Sequence, residues 1–215
     1  MLVRLLRSFV LSTLSFLGLT APVWLGISSF PQDPWIIGGL ILLAFWLLNE
    51  FYTPATPKKG EIREKGSLFL MAFSQPGTLV VVFLDYFFFH TTLEIPAFLK
   101  GIGLGLSILG FCIRLLAMRT LGQQYTMFVT IREGHRLVAH GIYKYVRHPG
   151  YLGQFVFLLG FVMLMGSVWG FLMYLFWVAT QIYRMYVEER VLVEHLGDQY
   201  KNYQKKTKRL IPWIF

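Results

Sequence analysis

Residues 149–183 read PGYLGQFVFLLGFVMLMGSVWGFLMYLFWVATQIY and contain no Asp, Glu, Lys or Arg. A membrane-spanning helix needs about 20 apolar residues, so this run is too long for one passage and fits two closely joined ones. Gly166 and Ser167 lie near its middle, where they favour a turn. The sequence therefore predicts a tight helical hairpin over residues 149–187, and this hairpin sets the class of fold.

Four further apolar runs precede the hairpin, at residues 8–30, 35–52, 67–89 and 97–118. The first is longer than the core of a typical signal peptide, so we interpret it as a retained transmembrane helix. These runs predict an all-α integral membrane protein, a polytopic helical bundle of about five to six membrane passes. Residues 1–96 would form three N-terminal transmembrane helices. Residues 97–215 would form the core, comprising a transmembrane helix, a polar loop at 119–148, the hairpin, and a C-terminal helix and tail.

The composition and the placement of charge agree with this class. Hydrophobic residues make up 55% of the chain and charged residues 14%, with a mean hydropathy of +0.56, whereas ordinary soluble domains are about one quarter charged. The net charge of +9 comes from Lys and Arg clustered between apolar runs, which indicates membrane topology and contact with anionic lipids rather than nucleic-acid binding. The basic segments (the N-terminus, 54–66, 119–148 and the tail) fall on one side. Both termini and any functional site are therefore predicted to be cytoplasmic.

The hairpin begins at RHPGY, residues 147–151. Pro149 suits the first position of a helix, where its missing N–H is not needed. A helix start favours anions, and Arg147 and His148 would add to that preference. Tyr151 lies just inside the same opening. A simple interfacial anchor, with Arg at the headgroups and Tyr in the aromatic belt, remains the alternative interpretation.

The hairpin ends at MYVEER, residues 185–190. Arg184 and Glu188 are one helical turn apart and share a face. Charges close to membrane depth usually face a cavity or a partner, although a plain ion pair at a helix exit would have the same spacing. Glu189 points elsewhere on the helix and is expected to be solvated. The tail beyond it has helical spacing and is expected to bend at Gly197.

For the other polar and small residues, the sequence favours structural roles or leaves the role undecided. The segment GHRLVAHGIY, residues 134–143, is predicted to be a loop whose backbone groups suit the polar edge of a flat ligand. We assign no metal site, because His135 and His140 have no third ligand at a recognisable spacing. GLGLG at 101–105 indicates close helix packing. Asp85 and Arg114 lie near helix ends, where interfacial or paired structural roles are favoured over a transport pathway. Cys112 has no second cysteine with which to form an internal disulfide.

The order of these motifs resembles the isoprenylcysteine carboxyl methyltransferase family, whose broader group includes membrane phospholipid methyltransferases. The motifs are LGQQYT, then GHRLVAHGIYKYVRHPGYLG, then the apolar hairpin, then RMYVEERVLVEHLGDQYKNY and RLIP. The resemblance covers about residues 98–215. It implies that S-adenosyl-L-methionine binds at the cytoplasmic membrane face, between the hairpin and the loop before it, without a soluble Rossmann fold.

The resemblance also implies roles for individual residues. Arg184 matches an arginine that holds the substrate carboxylate, and with Glu188 it would form the catalytic pair. The cofactor contacts implied by the family pattern are His135, Arg136, Leu137, Val138, Tyr143, His148, Pro149, Gly150, Tyr151 and Glu188. The family has a cofactor glutamine upstream of the histidine, whereas this chain reads FVTIREGH there, so that contact stays unassigned.

The resemblance implies methyl transfer to a carboxylate of a lipid-like acceptor, such as a prenylated cysteine on a small molecule or at a protein C-terminus. A carboxylate is already ionised at neutral pH, so the task is to position and partly desolvate it. Three alternatives stay open: N-methylation of a phospholipid amine, NADPH-dependent reduction by a membrane enzyme of related architecture, and a non-enzymatic membrane protein. Arg184 disfavours an amine acceptor, since a cation does not attract an amine.

Overall fold

A computed structural model describes residues 32–52, 61–62, 67–125, 130–131 and 137–211. The predicted span at 8–30 lies outside these residues. Within them the chain forms six α-helices, and the second continues as a π-helical turn, Asp85–Phe89. The helices are α1 Pro34–Tyr52, α2 Ser67–Leu84, α3 Ala97–Leu121, α4 Pro149–Met165, α5 Val168–Leu196 and α6 Asp198–Lys206.

The predicted hairpin is confirmed as α4 and α5, and local signals explain its ends. Pro149 occupies the first turn of α4. Gly166 ends α4 with a φ of 67°, a left-handed conformation that glycine adopts without steric penalty. Ser167 then caps α5 by accepting a hydrogen bond from the Gly170 backbone N at 2.9 Å. The predicted bend of the tail is also present, because α5 stops at Leu196 and α6 follows Gly197.

Two short pairings join the polar segments at one end of the bundle. Strand β1, Glu61–Ile62, pairs antiparallel with β2, Thr130–Ile131. The all-α prediction did not include this two-residue ladder, which is too short to leave a period-two pattern. An isolated parallel bridge joins Val146 to Lys208. The loop after α1, the loop after α3 and the C-terminal tail therefore lie at the same end, as the distribution of basic residues predicts.

The turns at the opposite end are linked by buried polar contacts. Asp85 accepts hydrogen bonds from Thr91 and from Ser167, the latter at 2.5 Å. The Leu93 backbone N donates to the Gly166 carbonyl at 2.9 Å. This supports a structural role for Asp85, since both of its partners tie the α2–α3 connection to the hairpin turn.

Helices α3 and α4 approach so closely that their backbones touch. A Cβ added at Gly153 would lie 2.7 Å from the carbonyl oxygen of Gly110, and one added at Gly103 would lie 2.9 Å from that of Gly160. Small residues permit this kind of helix contact in membrane proteins. Within GLGLG, only Gly103 makes it: Gly105 has nothing within 4 Å and Gly101 faces Trp35 at an ordinary distance.

Large apolar side chains cover the outer faces of the helices. Phe98 is 68% exposed and Phe45 and Trp169 are each 57% exposed, an amount of apolar surface that soluble monomers rarely show. Among the described residues, Ala97–Leu121 is long and apolar enough to cross a membrane, and Pro34–Glu50, Phe73–Phe89 and Pro149–Met165 are shorter apolar helices. The number of passes, the sidedness of the termini and the two-part division of the chain stay predictions.

Candidate functional site

A chain of hydrogen bonds joins the start of α4 to the far end of α5. The Nε of Arg184 donates to the hydroxyl oxygen of Tyr151 at 3.2 Å, and the Tyr151 hydroxyl donates to Oε2 of Glu188 at 3.0 Å. Arg184 is buried, whereas Glu188 and Tyr151 are partly exposed. The sequence predicted that these three residues serve one site, and the structure brings them together.

Helix geometry explains this arrangement. Arg184 and Glu188 are four residues apart on α5, so their side chains lie on the same face. Tyr151 is in the first turn of α4, whose start Pro149 fixes. The phenol therefore projects between the cation and the carboxylate. Its single hydroxyl serves as acceptor for one and donor for the other, which sets the orientation of the ring.

A second polar cluster surrounds Glu189, and the expectation that this residue is solvated is wrong. Glu189 is 4% exposed. Its Oε1 lies 2.8 Å from Nε of Arg147 and 3.1 Å from Nε2 of His148. Its Oε2 accepts from Nη2 of Arg209 at 3.0 Å and from Nε2 of Gln204 at 3.3 Å. The tail folds back over α5 and supplies two of these four partners.

The electrostatics of Glu189 reflect this enclosure. Burial alone would raise the pKa of its carboxyl, but hydrogen bonds from His148, Arg209 and Arg147 outweigh that effect and hold the pKa well below its ordinary range. Arg209 also stacks over the Tyr186 ring at 4.1 Å. Glu189 is therefore an ionised side chain that holds the tail against α5, and it directly follows the partly exposed Glu188 in the sequence.

The start of α4 has fewer hydrogen-bonding groups available to an anion than its sequence suggested. The backbone N–H groups of Tyr151 and Leu152 both donate to the His148 carbonyl at 3.1 Å. Arg147 is bound to Glu189 and to the carbonyls of Gln204 and Thr207. Arg147 and His148, the side chains proposed to hold an anion here, are thus already bound to other groups. A further anion would have to displace those partners. A cofactor contact by His148 stays a prediction.

Tyr143 reaches the site from the loop before α4. Its side chain is buried, and its carbonyl accepts a hydrogen bond from the Tyr203 hydroxyl at 2.6 Å. Burial, followed by the negative charge of Glu188, raises the pKa of the Tyr143 phenol well above its ordinary value. Tyr143 is thus a neutral aromatic donor close to Glu188.

A buried ion pair supports the site from within the bundle. Nε of Arg114 on α3 donates to Oε1 of Glu50 on α1 at 2.9 Å. Nη1 of Arg114 donates to the Gly150 carbonyl at 3.3 Å, directly before Tyr151 in the chain. The paired structural role predicted for Arg114 is confirmed, but its partner was not predictable, because Glu50 lies 64 positions away in the sequence.

The remaining predicted cofactor residues are placed only in part. Leu137 and Val138 are half-buried in a segment without regular secondary structure that precedes the 3₁₀ turn Gly141–Lys144, and Pro149 and Gly150 are buried. His135 and Arg136 lie outside the described residues. His140 is exposed. Sequence reasoning missed Gln204 and Arg209, whose spacing from Glu189 carries no pattern that would mark them.

Apolar helices with exposed aromatic side chains, together with polar clusters at the end where the loops meet, define a helical membrane protein. Comparison with known proteins then identifies its family. The isoprenylcysteine carboxyl methyltransferase (ICMT) family matches residues 103–194, a range that contains Tyr143, Tyr151, Arg184 and Glu188. The protein-S-isoprenylcysteine O-methyltransferase of Tribolium castaneum is 30% identical over 213 residues, which cover 93% of this chain and 74% of that enzyme. The chain belongs to the isoprenylcysteine carboxyl methyltransferase family.

Two further comparisons agree with this family. The protein-S-isoprenylcysteine O-methyltransferase of Schizosaccharomyces pombe is 39% identical over 115 residues, which cover 52% of this chain and 48% of that enzyme. A solved structure of the eukaryotic intramembrane Ras methyltransferase ICMT superposes with a TM-score of 0.61 at 25% identity, covering 95% of this chain and 74% of that one. The helical fold of the chain is therefore similar to that of an intramembrane enzyme.

Proposed function

We propose that the protein is a membrane methyltransferase that uses S-adenosyl-L-methionine to methylate the carboxylate of a prenylated cysteine. The observation that carries this proposal is the Arg184–Tyr151–Glu188 chain of hydrogen bonds, which places a buried cation beside a partly exposed carboxylate where the hairpin meets the polar loops. The relatives named above are O-methyltransferases that act on isoprenylcysteine, which favours a carboxylate acceptor over a phospholipid amine or a reductase reaction.

The residues around Glu188 suit the proposed cofactor. S-adenosyl-L-methionine supplies an electrophilic methyl group on a sulfonium, and it also carries an ammonium, a ribose and an adenine. Glu188 is the partly exposed carboxylate of the pair, able to accept a hydrogen bond from an ammonium or ribose hydroxyl. The rings of Tyr143 and Tyr151 offer faces that attract a cation. The half-buried Leu137 and Val138 present apolar side chains and backbone groups to a flat base.

Arg184 suits the acceptor. Arg184 is 3% exposed, and a buried Arg binds carboxylates strongly, often through two parallel hydrogen bonds. The acceptor carboxylate is ionised at neutral pH, so it needs no general base. The protein holds one carboxylate oxygen in line with the methyl group and removes part of its water shell. The prenyl chain would remain among the apolar helix faces.

The first test is binding. Isothermal calorimetry on the purified protein in detergent should show saturable binding of S-adenosylhomocysteine, which Glu188→Ala and Tyr151→Ala both weaken. NADPH serves as the competing ligand. Binding of NADPH in place of S-adenosylhomocysteine would contradict a methyltransferase and support a reductase.

The second test is transfer. We expect a labelled methyl group to pass from S-adenosyl-L-methionine to farnesylcysteine with a free α-carboxyl group, but not to its preformed methyl ester. Phosphatidylethanolamine vesicles provide the amine acceptor. Methylation of the vesicles, with none of the farnesylcysteine, would overturn the carboxylate assignment while leaving the methyltransferase class in place.

A further inference from the structure

Among the described residues, two buried side chains at the hairpin interface, Trp177 and Gln181, carry a nitrogen without a hydrogen-bond acceptor, and Gln181 is the more polar of the two. Gln181 on α5 is 1% exposed, and within the described part of the chain its Nε2 has no hydrogen-bond acceptor. A buried amide without a partner destabilises the free protein, and hydrocarbon surroundings make this worse because no water is available. Such a group calls for a physical explanation.

The position of Gln181 relates it to the proposed site. At about 100° per residue, Trp177, Gln181, Arg184 and Glu188 fall within an arc of about 60° around α5. Trp177 packs edge-on against Phe155 of α4, with ring centroids 5.3 Å apart.

One turn of α4 earlier, Tyr151 meets Arg184. Gln181 therefore lies between these two layers of the α4–α5 interface, about 4.5 Å deeper along the helix axis than Arg184.

We propose that Gln181 is a specificity-determining residue whose amide N–H donates to a carboxylate oxygen of the methyl acceptor. This inference rests on the proposed function. Arg184 would bind the carboxylate from the polar end, and Gln181 would bind it from the apolar side, where the prenyl chain continues. The amide is then paired only when the acceptor is present, which accounts for its unpaired state in the free protein.

A second donor from the opposite side also limits how the carboxylate can rotate. A carboxylate held by Arg184 alone can swing about that contact, whereas contacts from two sides fix which oxygen faces the methyl group. Gln181 should therefore discriminate between acceptors by where the carboxylate sits relative to the prenyl chain. In an analogue of farnesylcysteine with one extra methylene before the carboxyl group, the carboxylate oxygen would no longer lie within hydrogen-bond distance of the Gln181 amide.

The test is Gln181→Met, which keeps the length of the side chain and removes the amide. We expect the KM for farnesylcysteine to rise about tenfold or more, with an unchanged dissociation constant for S-adenosylhomocysteine. The thermal midpoint of the ligand-free protein should stay the same or rise, because an unpaired buried donor has been removed. The wild-type preference for farnesylcysteine over the extended analogue should shrink.

Thr180→Val is the matched control. Thr180 is the adjacent buried polar residue, but it faces α2, where its hydroxyl lies 3.1 Å from that of Ser74. We expect this variant to keep the acceptor KM. Gln181→Glu is a second variant of the same shape, which should raise the acceptor KM further by placing a carboxylate against a carboxylate.

The outcomes separate the two proposals. An unchanged acceptor KM in Gln181→Met and Gln181→Glu would overturn the role of Gln181 and leave the proposed function standing. A sharp fall in the ligand-free thermal midpoint of Gln181→Met would also overturn it, because the amide would then be needed for the free fold. Absence of both S-adenosylhomocysteine binding and methyl transfer in the wild-type protein would instead overturn the proposed function.

Discussion

At the scale of single residues, the hydroxyl of Tyr151 connects the two charged side chains of the proposed site. It accepts from Arg184 and donates to Glu188. Tyr151→Phe removes both hydrogen bonds and keeps the ring. Hydrogen bonds to charged groups contribute about 1.5–3 kcal/mol, so we predict a loss of kcat/KM of about tenfold or more in the methyl-transfer assay.

Tyr145→Phe provides the matched control for this substitution. Tyr145 is 61% exposed on the loop before α4, and the loss of its hydroxyl should leave kcat/KM as it is. Equal kcat/KM values for the two variants and the wild type would contradict the role of the Tyr151 hydroxyl.

The neighbouring carboxylates Glu188 and Glu189 should separate binding from stability. Glu188→Gln is predicted to weaken S-adenosylhomocysteine binding and to leave the free energy of unfolding nearly unchanged, since Glu188 is partly exposed. Glu189→Gln removes the charge that Arg147 and Arg209 share. Breaking a buried ion pair costs about 3–5 kcal/mol, so this variant should unfold at a lower temperature in detergent. A larger loss of stability in Glu188→Gln than in Glu189→Gln would contradict the assignment.

The lowered pKa of Glu189 gives a prediction about pH. The native carboxyl binds its proton less readily than the unfolded one, whose ordinary pKa is 4.5. Its stabilising contribution is therefore complete above that value and is lost as the pH falls toward the lower native pKa. Thermal midpoints measured below about pH 4.5 should fall more steeply with decreasing pH in the wild type than in Glu189→Gln. Parallel slopes would show that Glu189 does not contribute.

Sequence reasoning succeeded for Glu188 and failed for Glu189 because their partners differ in distance along the chain. The pairing of Arg184 with Glu188 follows from helical spacing. The burial of Glu189 depends on a tail that returns over α5, and no local pattern encodes that return. Charge position on a helix predicts which residues share a face, but it does not predict what covers that face.

At the scale of elements, the contact between α3 and α4 is the most demanding packing in the described structure. Gly153→Ala would place a Cβ 2.6 Å from the backbone N of Arg114 and 2.7 Å from the Gly110 carbonyl oxygen. Overpacking of this kind costs about 1–3 kcal/mol, and the backbone shift would also displace the start of α4. We predict a lower thermal midpoint and weaker S-adenosylhomocysteine binding.

Gly105→Ala is the control for this contact, since a Cβ at Gly105 meets nothing within 4 Å. In a helix interior, Ala is favoured over Gly by about 0.8–1.0 kcal/mol. The variant should therefore be as stable as the wild type or more stable. A similar loss of stability in both variants would contradict the role of the close approach, because helix propensity alone favours Ala at both positions.

The helices were largely predictable because their ends carry strong local signals. Pro149 starts α4, Gly166 and Ser167 make the hairpin turn, and Gly197 ends α5. Close packing at GLGLG was predicted for the whole motif, yet only Gly103 provides it. Small residues show that a close approach is possible, while the rotation of the helix decides which of them takes part.

At the scale of the whole molecule, the Glu50–Arg114 pair connects the N-terminal helices to the proposed site. Arg114 also binds the Gly150 carbonyl, next to Tyr151. Glu50→Gln should lower the thermal midpoint by leaving a buried cation without its counter-charge, and it should weaken S-adenosylhomocysteine binding indirectly.

The double variant Glu50→Gln with Arg114→Gln tests the coupling between these two residues. Removing both charges should recover part of the stability lost in the single variant, because no uncompensated charge remains. Additive losses would show that Glu50 and Arg114 act independently. The sequence indicated that Arg114 is paired but could not identify Glu50, since contacts between distant helices depend on the assembled bundle.

The anchoring of Glu189 by the tail also determines the order in which the protein can mature. Arg209 follows Glu189 by 20 positions. At synthesis rates of about 5–20 residues per second, this delay lasts about 1–4 s. Until residue 204 is made, the carboxylate of Glu189 has neither of its tail partners, and Arg209 is absent until the interval ends. A released protein that ends before residue 204 should therefore be sensitive to protease at this end, whereas a released protein that extends past residue 209 should be resistant.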